Sequence, residues 1–219
     1  MTSPSRGGLP LLLPALAFGV LSIAGVALSA GMPRPGAQPA AILAYQQAHV
    51  TSGQVAGFLQ VAAAIPLAIL AAAAYQRLQG LGIRAPGPAI GLAGGLLAAS
   101  ATTVLGVVGW ATAHAAPASD AAVANALAAL AFALGSAGYV PMLSLLVAGV
   151  AVPALLTGLL PRWLGIAGLV IAAVGMLSTF TMLTSALYPT LPVGRFGGLL
   201  WLVAAAATLP AHRPRRVAV

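Results

Sequence analysis

The one acidic residue of this sequence and two of its three histidines have the chemistry to bind a metal or move a proton, and they lie at ends of long apolar segments that could meet on one face of a bundle. His49 precedes one such segment, His114 follows the next, and Asp120 precedes a third. If these ends meet on one face of a bundle, two imidazoles and a carboxylate form an acceptable metal, haem or acid–base set. The alternative is three independent polar residues at helix ends. It is favoured because the histidines lack the local spacing of a metal motif.

Two uncharged polar residues inside the apolar segments are candidate ligand contacts. Gln60 carries an amide that is costly in an apolar segment, and its default role is an interhelical hydrogen bond. Tyr139 stands beside Gly138 and Pro141, where a break in a helix would open a cavity. Packing is the alternative for Tyr139. Together the two residues predict a site for a neutral or apolar small molecule.

The rest of the composition argues against an enzyme. Asp120 is the one acidic residue among 219, there is no cysteine, and all nine Lys+Arg residues are arginines. A Schiff base, a thiolate nucleophile and paired carboxylates are therefore excluded. The sequence also contains no nucleophile motif and no phosphate-binding glycine loop. We expect a non-enzymatic protein, and no cofactor can be assigned.

Hydropathy predicts an all-α protein that crosses a membrane several times. Mean hydropathy is +1.05 and only 5% of residues are charged, whereas a soluble protein of this size would be about one-quarter charged. A span needs roughly 20 apolar residues. Residues 1–219 thus form a single transmembrane domain of about six helices, in contact with the lipid bilayer. The predicted spans are Leu9–Gly31, Gly53–Tyr75, Pro88–Trp110, Ala126–Leu155, Trp163–Leu183 and Phe196–Leu209.

The arginines predict the orientation of these spans. With the amino terminus inside, seven arginines lie on the cytoplasmic side and two, Arg34 and Arg195, lie outside. The positive-inside rule therefore favours both termini in the cytoplasm and a multi-pass protein of the inner (plasma) membrane. The net charge of +8 is explained by this anchoring, so no nucleic-acid partner is expected. The seven inner arginines are Arg6, Arg77, Arg84, Arg162, Arg213, Arg215 and Arg216.

Three local features bear on the packing of the bundle. The region 121–160 is too long for one straight crossing, and we favour one helix bent near Pro141 or Pro153 over two crossings. Residues 40–49 can form a short helix on the bilayer surface. Small-xxx-small pairs indicate close packing of helices within the chain. These pairs are Gly53/Gly57, Gly91/Gly95 and Gly194/Gly198.

The stretch Leu159-Leu160-Pro161-Arg162-Trp163-Leu164-Gly165 resembles the Leu-Pro-Arg-Trp-Leu turn of a bacterial family of uncharacterised six-span integral membrane proteins. The Ala74–Leu78 end of the second span and Gly194-Arg195-Phe196 before Trp201 are also similar to that family. The resemblance lies mainly in the C-terminal part of the chain. It implies a bundle of six helices and brings no activity or catalytic residues.

Three functions remain open on these observations. The first is a structural, regulatory or accessory subunit with a membrane protein partner, suggested by dense small-residue packing. The second is a carrier or binding protein for a neutral or apolar molecule at Gln60 and Tyr139. The third is a metal or haem site at His49, His114 and Asp120.

Overall fold

A computed structural model describes residues 11–33 and 36–211. In this part of the chain all regular structure is helical, and no β-strand is present. The helices are α1 (Leu12–Ala27), α2 (Pro39–Ala48), α3 (Val50–Gly80), α4 (Gly87–Ala115), α5 (Ala121–Ala133), α6 (Val140–Leu156), α7 (Arg162–Leu177), α8 (Thr190–Pro192) and α9 (Gly198–Thr208). The predicted all-α bundle is confirmed.

Five helical runs are long and apolar enough to cross a membrane, and α1 is a shorter apolar helix. The five runs are Val50–Gly80, Gly87–Ala118, Ala121–Leu156, Arg162–Met182 and Thr190–Thr208. Large apolar side chains such as Phe58, Ile65 and Leu200 face outward from them. Apolar surface of this extent suits a lipid environment. This is the architecture of a multi-pass membrane protein.

The region 121–160 is one helical run with a wide turn inside it. Between α5 and α6 the backbone forms a π-helical turn over Leu134–Gly138, and Tyr139 follows directly. Pro141 has no N–H to donate to the carbonyl of Ala137, so the regular hydrogen-bond ladder is interrupted at this point. The helix is therefore continuous, as favoured from the sequence, but its irregularity precedes Pro141 and takes the form of a π turn.

The last helical run starts earlier than the sequence suggested. It begins at Thr190 rather than Phe196, and Val193–Gly197 forms a second π turn before α9. Pro189 and Pro192 lie at its start, where backbone N–H groups have no intrahelical partner and proline costs little. The prolines thus belong to the beginning of a helix. Arg195 consequently lies within the helical run rather than at its outer end.

Glycines allow the helices to approach closely, as the small-residue pairs predicted. A Cβ at Gly57 of α3 would lie 2.7 Å from the carbonyl oxygen of Gly106 in α4. A Cβ at Gly91 would lie 3.3 Å from the Cα of Gly149 in α6, and one at Gly194 would meet Val140. A side chain at these positions would force the helices apart. Close packing within the chain is therefore confirmed for these pairs.

The core lies between these helices, and α7 and α9 are joined by a buried polar contact. Leu67 and Leu70 of α3 pack with Leu143 and Leu146 of α6. Trp201 of α9 donates its Nε1–H to the carbonyl oxygen of Leu164 in α7 at 2.7 Å. The indole is thus fixed on the first turn of α7, at the last residue of the Leu-Pro-Arg-Trp-Leu stretch.

Candidate functional site

The helix α2 packs on one end of the bundle, which we call the α2 end. Ile42 is 2% exposed, and Gln46 donates from Nε2 to the carbonyl oxygen of Ala124 in α5 at 3.5 Å. Gln47 donates to the carbonyl oxygen of Ala116 at 3.2 Å. The sequence placed this segment on the bilayer surface, but its buried face lies on other helices of the chain. Because α2 is short and only weakly apolar, hydropathy alone did not identify that contact.

A cavity of about 700 Å³ lies beneath α2, between the helix ends that meet at this end of the bundle. Its wall is formed by the C-terminal ends of α1 and α4, the N-terminal end of α3, α5 with its π turn, and residues 191–196. Most side chains of the wall are apolar, and a few are polar. Size, concavity and this mixture are typical of small-molecule sites.

Gln60 lines this cavity. It is 7% exposed, and its Oε1 is buried without a hydrogen-bond partner in the described part of the chain. The side chain fits there because α1 has a glycine opposite it: a Cβ at Gly25 would lie 3.0 Å from Gln60 Nε2. The interhelical hydrogen bond expected as the default is not formed by Oε1. An unpartnered buried acceptor costs about 1–3 kcal/mol, so the burial of this oxygen without a donor is unfavourable.

Tyr139 lies behind the cavity wall instead of on it. The side chain is 2% exposed, and its hydroxyl is buried with no hydrogen-bond partner among residues 11–33 and 36–211. Its neighbours Ser136 and Val140 reach the cavity. The face of its ring is occupied by a cation, because the guanidinium carbon of Arg195 lies 5.3 Å from the ring centroid. Tyr139 therefore acts on the cavity through Arg195.

Arg195 is the residue that sequence reasoning missed. It was placed with Arg34 at the outer membrane interface, and the interior was taken to be free of charge. In the structure Arg195 lines the cavity, and its Nε is buried with no hydrogen-bond partner in the described residues. Within that part of the chain it forms no ion pair, and its guanidinium lies over the Tyr139 ring. The available signal was the pair Pro189 and Pro192, which are typical of a helix start. Because Arg195 follows them in the sequence, it lies within the helical run.

His49, His114 and Asp120 are exposed and engaged separately. The His49 ring stacks on Tyr45 at 4.2 Å, and its Nδ1 lies 2.9 Å from the Tyr45 carbonyl oxygen. Asp120 caps α5 by accepting the Val123 N–H at 2.8 Å.

The second histidine, His114, stacks on Trp110 at 5.0 Å, and its Nδ1 lies 3.4 Å from Nε2 of Gln54. Among the residues that the structure describes, no group of three or more His, Cys, Asp or Glu could hold a metal ion. The three residues are thus not brought together as the metal or haem hypothesis requires. The arrangement agrees with the alternative interpretation, in which they are three independent polar residues at helix ends.

Comparison with known proteins does not extend this description. No family model, no curated protein and no solved structure matches the chain. The resemblance to the six-span family therefore stays a prediction, and the function is argued from the cavity.

Proposed function

We propose that this chain is a membrane-embedded binding protein or carrier for a small, mainly apolar molecule. One observation carries the proposal: a cavity of about 700 Å³ with a mostly apolar wall opens between the helices at the α2 end. A tightly packed bundle with only a structural role has no need of such a space, since membrane helices gain stability by close packing. The cavity thus favours the second of the three functions considered from the sequence.

We propose that the protein binds this molecule and does not convert it chemically. The cavity wall offers an amide at Gln60 and a guanidinium at Arg195, which recognise polar groups. His49 also borders the cavity, stacked on Tyr45. Nothing in this set resembles a nucleophile paired with a base.

We further propose that both termini face the cytoplasm and that the α2 end faces outward, in the inner (plasma) membrane. Arg77, Arg84 and Arg162 support this orientation, because all three lie at the end of the bundle opposite α2. The cavity then lies toward the outer half of the bilayer. A role as a partner of another membrane protein remains compatible with this arrangement.

Binding of a neutral amphiphile tests the proposed function. The purified protein in phosphatidylcholine nanodiscs should bind tritiated dodecanol saturably, above the partition into empty nanodiscs. Gly109→Leu should weaken this binding, because Gly109 lines the cavity and a Cβ there meets only the Cα of Gly57, at 4.0 Å. The leucine takes up part of the cavity with little clash.

Gly80→Leu is the matched control, since a Cβ at Gly80 meets no atom within 4 Å and Gly80 does not line the cavity. It should bind dodecanol like the unmodified protein. Equal binding by both variants, or partition without saturation, would contradict the proposed function.

A further inference from the structure

The charge of Arg195 is not neutralised by any of the residues that the structure describes. Asp120 is the one acidic residue in the sequence, and it is exposed and caps α5 through the Val123 N–H. Arg195 forms no ion pair in the described residues. A guanidinium does not lose its proton in proteins, so the cation persists inside the bundle. It needs a counter-charge that the described part of the chain does not provide.

Burying an unpaired arginine in a span costs free energy, and the contact with Tyr139 offsets only part of that cost. Arginine is costly inside a span, and arginines found there typically face a cavity and mark a substrate pathway. The contact with the Tyr139 ring, 5.3 Å from the guanidinium carbon to the centroid, offsets part of this cost. The buried Nε–H of Arg195 has no hydrogen-bond partner in the described residues. That donor requires an acceptor.

The geometry of the guanidinium N–H donors suits them to bind an oxyanion. Arginine presents five N–H groups in a planar fork that matches a carboxylate or phosphate. The contact with Tyr139 restrains the guanidinium, and restrained donors bind with a smaller loss of side-chain entropy. Arg195 is partly exposed and lines the cavity, so its free edge is accessible from there.

The rest of the cavity wall is suited to a hydrocarbon chain. It is mostly apolar, and Ile42, Leu105 and Phe132 contribute to it. A small inorganic anion would leave this apolar wall unfilled, whereas a purely apolar ligand would leave Arg195 without an acceptor. Both groups of contacts are satisfied by one molecule with an anionic head and an apolar tail.

We propose that the cavity binds an anionic amphiphile, with its carboxylate or phosphate head on Arg195 and its hydrocarbon chain along the apolar wall. This inference rests on the proposed function, and it specifies the class of ligand. Tyr139 is a positioning residue, because it holds the guanidinium and does not line the cavity. The head group comes either from a single-chain amphiphile or from an anionic phospholipid of the bilayer.

The test compares probes that share one chain length and differ in head group. Laurate, dodecyl phosphate, dodecanol and dodecylammonium are titrated into the protein in phosphatidylcholine nanodiscs. We expect laurate and dodecyl phosphate to bind at least tenfold more tightly than dodecanol, and dodecylammonium to bind more weakly than dodecanol. Arg195→Gln should remove the tenfold preference, so that laurate and dodecyl phosphate bind this variant no more tightly than dodecanol does. Arg195→Lys, which keeps the charge and loses the fork, should retain part of it.

The outcomes separate the two proposals. If dodecanol and laurate bind with equal affinity to the unmodified protein, or if Arg195→Gln keeps the preference, the anionic-head inference is overturned and the apolar site stands. If no dodecyl probe binds saturably, the proposed function fails. Should Arg195→Gln not fold, the head-group series on the unmodified protein together with Arg195→Lys decides the question.

Phosphatidylglycerol added to the nanodisc identifies the source of the head group. If the cavity binds a bilayer phospholipid, this lipid competes with laurate on the unmodified protein. If the ligand is a single-chain amphiphile, laurate affinity is unchanged by the lipid. Both results keep the anionic head on Arg195, and a loss of laurate binding that is equal in Arg195→Gln would contradict it.

Discussion

The guanidinium carbon of Arg195 lies 5.3 Å from the centroid of the Tyr139 ring, and this contact joins two π turns of the fold. Tyr139 directly follows the turn Leu134–Gly138, and Arg195 lies within the turn Val193–Gly197. Wide turns of this kind are rare in helices and often occur at functional sites. Here they bring a cation to the wall of one cavity and an aromatic ring to a position behind that wall.

The ring and the hydroxyl of Tyr139 should contribute differently to stability. Tyr139→Phe removes a buried hydroxyl that has no partner in the described residues, so we expect stability unchanged or raised by up to about 1–3 kcal/mol. Tyr139→Leu removes the ring and should destabilise by about 0.5–2 kcal/mol from the cation–π contact alone. Thermal unfolding of both variants in mild detergent measures the difference. A Tyr139→Phe variant as unstable as Tyr139→Leu would indicate that the hydroxyl has a partner.

The crossing of α3 and α4 should depend on Gly57. A Cβ there would lie 2.7 Å from the Gly106 carbonyl oxygen, and backbone cannot move aside as a flexible side chain can. We therefore expect Gly57→Ala to lower the free energy of unfolding by about 1–3 kcal/mol, as overpacking does. Unfolding by sodium dodecyl sulfate in mixed micelles measures this change.

Gly80→Ala is the control on the same helix. A Cβ at Gly80 meets nothing within 4 Å, so the substitution should be neutral or stabilising by up to about 1 kcal/mol through helix propensity. Equal effects of the two substitutions would mean that α3 and α4 are farther apart at Gly57 than in the structure.

Hydropathy was sufficient to predict the class of fold. Charged side chains are too costly in hydrocarbon to be scattered through spans, so their clustering in connections marks the ends of helices. The all-α bundle followed from that pattern, and the close glycine packing followed from the small-xxx-small pairs. The one-helix interpretation of 121–160 followed from length, charge and proline placement.

Of the two polar side chains that we propose to recognise the ligand, Gln60 was predicted from the sequence, and Arg195 was not. Gln60 was identified because an amide in an apolar segment is unusual, and it does line the cavity. Arg195 was missed because a hydropathy pattern gives the position of a residue along a span, not the direction in which its side chain points. That direction depends on the π turn at Val193–Gly197, which adds rotation that a regular helical period does not include. The burial of α2 likewise depends on tertiary contacts.

The indole of Trp201 should stabilise the contact between α7 and α9 through its hydrogen bond. Trp201→Phe keeps an aromatic ring and loses the 2.7 Å bond to the Leu164 carbonyl oxygen, so we expect a loss of about 1 kcal/mol or more. Trp163→Phe is the matched control, because Trp163 is 69% exposed. Unfolding in mixed micelles should separate the two variants. A greater loss for Trp163→Phe would contradict the packing of α9 on α7.

The orientation of the bundle can be measured on a chain that has no cysteine of its own. Ala44 is exposed on α2, and Ala85 is exposed in the connection between α3 and α4, beside Arg84. Because the positive-inside rule places Arg77, Arg84 and Arg162 in the cytoplasm, an impermeant maleimide should label Ala44→Cys in intact cells. Ala85→Cys should be labelled only after permeabilisation, and the reverse pattern would refute the proposed orientation.

The same reagent tests whether α2 covers the cavity. Ile42 is 2% exposed and Ala44 is exposed on the same helix, so Ile42→Cys should react much more slowly than Ala44→Cys in the purified protein. Ile42 lines the cavity, and a bound amphiphile should slow its reaction further while leaving Ala44→Cys unaffected. Equal rates at the two positions would place α2 away from the bundle, as a helix on the bilayer surface would be. Slow labelling that laurate does not change would mean that the ligand binds away from α2.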